Sequence, residues 1–173
     1  MSENRFGSDD PVYESFMRRQ LEEGMELANA SDLLRLHVPP VFPPHFVAEF
    51  RCGGLIREGD GEIEQASEFH VGIWFPPDYL RRVEGLEMLR MFTQNVWHPN
   101  IRAQYICSGR LTPGTALVDI LYQIFEVLTY TKWNTADGMN RAACAWAREH
   151  QAEFPIDRRP LKRRTLSLEV KPL

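Results

Sequence analysis

The order of periodicities along the chain predicts an α+β domain: an N-terminal helix, a four-stranded antiparallel meander, a long loop, then C-terminal helices packed on one face of the sheet. Three observations carry that expectation. Apolar residues recur at three- and four-residue steps near both ends, alternate at two-residue steps between Leu34 and Phe75, and show no period from Asn95 to Pro113. Strands grouped together and flanked by helices bury their apolar sides against one another in two layers.

Each element has its own signal. Asp9-Asp10-Pro11 reads as a helix start, with carboxylates at the positive end of the helix and proline in its first turn. Tyr13, Phe16, Met17, Leu21 and Met25 then mark one apolar face, to about Ala28. Leu34, Leu36 and Val38 alternate, as do Phe46, Ala48, Phe50 and Cys52 after the proline-rich VPPVFPP. Phe69, Val71, Ile73 and Phe75 form a third run, and Leu86 to Phe92 a looser fourth. The turn-rich GDG at Gly59–Gly61 and PPDY at Pro76–Tyr79 separate these runs. Thr112-Pro113 is expected to open a helix bearing Leu117, Leu121, Ile124 and Leu128, and KWNTADGMN leads to a shorter one with Ala143, Trp146 and Ala147. The tail LKRRTLSLEVKPL alternates weakly, as an added edge strand or a mobile end would. The expected organisation is a flexible N-terminus over 1–10, one domain over 11–157 and a basic tail over 158–173.

Composition narrows the function. A net charge of −4 leaves no overall basic footprint, which argues against a general nucleic-acid binder. No apolar run approaches the roughly 20 residues that a membrane span needs, and MSENRFGSDD lacks the apolar core of a secretory signal. The three cysteines form no CxxC pair and cannot all be paired in disulfides, which fits a reducing cytoplasm. The histidines have no metal-ligand spacing, so no metal or other cofactor is expected.

One constellation stands out. Trp97-His98-Pro99-Asn100 is followed nine residues after the histidine by Cys107, inside the aperiodic stretch, with Ser108 and Gly109 behind the thiol. By residue type alone, His98 and Asn100 read as turn residues bonded to their own backbone, and a lone cysteine as a buried one. Cys52 on an apolar strand and Cys144 among helical alanines fit that inert description, and Phe16, Met17, Met88 and Met91 read as core. Asp137 in NTADG reads as a turn or cap.

Read together, EFHVGIWFPPDYLRRVEGLEMLRMFTQNVWHPNI, Cys107 and NTADGMNRAACAWAREH resemble ubiquitin-conjugating enzymes across about Pro11 to Phe154. The resemblance implies that Cys107 carries a ubiquitin-like protein as a thioester received from an activating enzyme. It would pass that protein to a lysine or other amine, on a target and with or without a ligase. It implies that Asn100 stabilises the developing oxyanion or orders the loop, and that His98 fixes the turn. It also implies that Asp137 positions the attacking amine. Arg18, Arg19, Pro77 and Tyr79 fall where the family contacts partner proteins. The chain departs from the usual pattern after Cys107, where Pro113 arrives early and the customary apolar run and tryptophan are missing. Those departures resemble the divergent members in bacterial operons that encode ubiquitin-like modifiers, often linked to antiviral defence. Two alternatives stay open: an inactive module of the same fold that binds a ubiquitin-like protein non-covalently, and a cysteine hydrolase using His98 as its base.

Overall fold

The computed structural model describes residues 6–163. They form a mixed α+β structure with four α-helices and a six-stranded antiparallel sheet. Helix α1 (Pro11–Asn29) begins where Asp10 accepts hydrogen bonds from the amides of Val12 (2.9 Å) and Tyr13 (3.4 Å), with proline in the first turn. Strands β1 (Leu34–His37), β2 (Phe46–Phe50), β5 (Phe69–Ile73) and β6 (Leu89–Met91) pair in that spatial order as the expected meander. The register sets Leu34 opposite Phe50 and Phe46 opposite Ile73. Their inward residues Leu34, Leu36, Phe46, Ala48, Phe50, Phe69, Val71 and Ile73 join one core with Met17, Leu27, Leu121 and Ile124 of the helices. Phe16, Met17, Met88 and Met91 all lie in it as expected.

Four details differ from the expectation. The chain between β2 and β5 is a separate hairpin, β3 (Gly54–Arg57) with β4 (Ile63–Ala66). Glu64 and Gln65 are exposed on it, so its alternation is too polar to read as strand. The fourth run starts as a single helical turn, α2 (Gly85–Met88), before β6. The aperiodic stretch holds a tight hairpin, β7 (Ile101–Arg102) and β8 (Tyr105–Ile106), which extends the sheet through Arg90 opposite Tyr105. Two-residue strands are below the length at which alternation can be seen.

The fourth difference concerns the start of α3 (Leu117–Leu128), five residues later than Thr112. Gly114 takes φ +81°, which a helix cannot accommodate, and Thr112 to Thr115 close a turn through Thr115 N–H to the Thr112 carbonyl at 3.1 Å. The cap comes from afar: the Leu117 amide donates to Oε1 of the fully buried Gln20 on α1 at 2.7 Å. Helix α4 (Arg141–Glu149) has a local cap, the Ala143 amide donating to Asn140 Oδ1 at 3.1 Å.

Phe6 and Leu161, outside the expected 11–157 boundary, are 4% and 2% exposed and belong to the core. Arg163 donates to the carbonyls of Asn29 and Ala30. Residues 164–173 of the expected edge strand or mobile tail, and residues 1–5 of the expected flexible N-terminus, lie outside the described residues. Among the described residues, no helix is long and apolar enough to cross a membrane.

Candidate active site

The β7–β8 hairpin explains the spacing between Asn100 and the cysteine. Ile101 pairs with Ile106, so the next residues outward, Asn100 and Cys107, face each other across the mouth of the hairpin. The Cys107 amide donates to the Asn100 carbonyl at 2.9 Å, and Asn100 Nδ2 donates to the Cys107 carbonyl at 3.2 Å. Ala103 at φ +52° makes the turn between the two short strands.

The other half of the same amide reaches a second loop. The Asn134 amide donates to Asn100 Oδ1 at 3.0 Å. One side chain, 7% exposed, thereby joins the thiol loop to the segment that carries Asp137. Asn134 then closes its own turn, accepting from the amides of Ala136 (2.9 Å) and Asp137 (3.4 Å). The Asn140 amide donates to the Pro99 carbonyl at 3.1 Å, and Gly138 is pressed so close to that carbonyl and to Cys144 Sγ that no Cβ fits. The Asp137 side chain is exposed beyond this turn. Sequence reasoning missed Asn134; the signal was the asparagine three places before Asp137, whose partner lies 34 residues away.

His98 is 1% exposed and committed to the turn. Its Nδ1 accepts the Asn100 amide at 2.9 Å, which leaves the proton of the neutral ring on Nε2. Burial pushes the imidazole down to about 3 from its ordinary 6.5, against the opposing pull of the Lys132 backbone. The ring meets Tyr130 edge-on at 4.4 Å, and the Tyr130 hydroxyl donates to the Trp97 carbonyl. Among the described residues no hydrogen bond joins His98 to Cys107, so the turn uses this histidine as a neutral acceptor.

The three cysteines separate by environment. Cys107 is partly exposed, while Cys52 (1%) and Cys144 (5%) are buried. Burial pushes the Cys52 thiol up to about 12, where it has almost no thiolate at neutral pH. Cys144 Sγ donates to the Asn134 carbonyl at 3.8 Å, as a packing residue under the loop. A nucleophilic thiol needs to be reachable from solvent, and among the described cysteines Cys107 alone is.

The expected partner-contacting residues divide. Arg18 and Arg19 are exposed on α1, and Pro77 is exposed on the loop after β5. Tyr79 is fully buried, its hydroxyl donating to the Thr115 carbonyl at 2.8 Å, so it holds the 112–115 turn instead of offering a contact surface. Arg19 borders an open groove of about 550 Å³ with Val12, Phe16, Leu80 and Gly114. Among the described residues no group of three His, Cys, Asp or Glu is arranged to hold a metal. A scan of protein-family models and a search of curated proteins found no match to this chain.

Proposed function

We propose that this chain is a ubiquitin-conjugating-type transferase with Cys107 as its acyl carrier. The Cys107 sulfur attacks the thioester carbonyl of a ubiquitin-like protein held by an activating enzyme, whose own sulfur leaves. A lysine or other amine then attacks the new thioester, forming an amide and returning the thiol. Both steps pass through a tetrahedral species with negative charge on oxygen, and both need an exposed, well-placed sulfur more than a strong base.

The observation that carries this reading is the Asn100 clamp. One amide side chain fixes the backbone of the partly exposed thiol and the turn that presents Asp137, so nucleophile and acceptor-positioning carboxylate are held by a common residue. The commitment of His98 to its turn weighs against a cysteine hydrolase, which needs its histidine on the thiol. The exposed cations Arg18 and Arg19 and the groove beside Arg19 suit docking of the activating enzyme on α1.

The test is intact-mass spectrometry after mixing the protein with ATP, a candidate activating enzyme and its ubiquitin-like partner, with and without reductant. The expected result is a gain of one modifier mass that reductant removes, converted to a reductant-resistant ester or lost in Cys107→Ser. No adduct, from a modifier demonstrably charged on its activating enzyme, would favour the non-covalent binding module. A reductant-sensitive adduct surviving in Cys107→Ser would move the chemistry to another cysteine.

A further inference from the structure

A cation is bonded to the backbone of the thiol loop. Lys132 lies four residues past the end of α3, its amide tied to the Glu126 carbonyl at 2.9 Å. Its Nζ donates to the carbonyl of Ser108, the residue after Cys107, at 2.9 Å. The next residue, Gly109, takes φ +125° and leaves the space that the ammonium fills, since a Cβ there would collide with Lys132 Nζ. Two oxygens of the surrounding residues are buried without a partner: Ser108 Oγ, and Gln123 Oε1, which lies 3.7 Å from where that Cβ would be. Covalent lengths alone keep the ammonium within about 12 Å of the Cys107 sulfur.

We propose that Lys132 is a positioning residue of the Cys107 loop. Its ammonium ties Ser108 to the end of α3 and sets a fixed positive charge near the thiol, favouring negative charge that approaches or develops there. The value of that charge to catalysis rests on the carrier reading, because the tetrahedral species at Cys107 carries an oxyanion.

The test uses the full chain and two alkylating reagents of similar size, neutral iodoacetamide and anionic iodoacetate, with modification at Cys107 followed by peptide mass. A loop that merely loosens changes both rates by the same factor; a lost charge changes their ratio. Lys132→Met is expected to lower the iodoacetate-to-iodoacetamide rate ratio about two- to fourfold at low salt, and about 0.5 M salt to shrink that difference. Lys132→Arg should restore the ratio. If Lys132→Met does not fold, Lys132→Gln gives the same contrast, keeping a donor for the Ser108 carbonyl without the charge. An unchanged ratio in the neutral variants overturns the proposal, as does an isopeptide on Lys132 in the charging experiment, which would make the amine an acceptor. The reagents need no modifier, so a ratio that moves while charging fails removes the carrier reading alone.

Discussion

The meander and the thiol loop are held by different forces. Phe46, Phe50, Phe69 and Ile73 have no exposed surface and are kept in place by apolar area, which is non-directional and shared among many neighbours. Asn100 in the thiol loop is kept by two hydrogen bonds of its own side chain, to the Cys107 carbonyl and the Asn134 amide. The first kind of contact tolerates a change of shape among apolar side chains of similar volume; the second tolerates a change of volume better than an exchange of donor for acceptor. One chain thus has a region whose failure is measured in stability and, on the proposed reading, a region whose failure is measured in chemistry.

The largest separation of the two regions should come from Phe50→Ala. Removing a fully buried ring from the sheet is expected to cost about 3–5 kcal/mol in urea unfolding, while the folded fraction retains Cys107 reactivity. Loss of Cys107 reactivity in the protein that remains folded would show the regions to be coupled. Asn100→Asp reverses the emphasis. It keeps an oxygen for the Asn134 amide but sets a carboxylate against the Cys107 carbonyl, and should cost about 1–3 kcal/mol of stability. Transfer from Cys107 to an amine, followed by loss of the thioester mass, is expected to fall about 100-fold or more. Equal transfer rates in wild type and Asn100→Asp would remove the clamp from the mechanism.

A pH titration sharpens the contrast, because each region holds one buried histidine as a neutral acceptor. His45 Nδ1 accepts the Phe75 amide at 3.1 Å in the core, and His98 Nδ1 accepts the Asn100 amide at 2.9 Å in the loop. Burial pushes His45 down to about 4 and His98 to about 3, both from 6.5. The unfolded chain therefore binds these protons first. The stability they contribute is fully present above pH 6.5 and is lost as pH falls from there towards the folded values. Each histidine should add about 1.4 kcal/mol per pH unit to that decline, read from urea midpoints at pH 7, 6 and 5. His98→Asn should remove about half the slope; an unchanged slope would place the acid sensitivity elsewhere. The smallest effect belongs to neither region. Asp10→Ala deletes the cap of α1 and should lower stability by about 1 kcal/mol, with Cys107 chemistry untouched.

Much of the meander was legible because its strands bury one face and their alternation says so: Leu34, Leu36, Phe46, Ala48, Phe50, Phe69, Val71 and Ile73 all turn inward. The β3–β4 hairpin was not, since Glu64 and Gln65 interrupt any apolar period. At the site, the resemblance singled out His98, Asn100 and Cys107, which residue type alone would have left as turn residues and a buried thiol; the structure joins them through one hairpin mouth and one turn. Tyr79 shows the limit of such reading. The resemblance put Tyr79 on a partner-contacting surface, yet its ring fills the core between Phe16 and Phe75 and its hydroxyl finds a backbone acceptor inside.

What the sequence determined by itself is what short stretches can decide. The Asp10 cap with Pro11, the apolar stripe of α1, the alternation of the meander and the Asn140 cap of α4 each rest on residues a few places apart. The tertiary structure decided the pairs that stretches cannot see. Gln20 capping α3 spans 97 residues, Asn100 meeting Asn134 spans 34, and Lys132 reaching Ser108 spans 24. A polar group selects such a partner only after apolar burial has brought the two segments together and removed competing water, because a hydrogen bond is short-ranged and gains little in water.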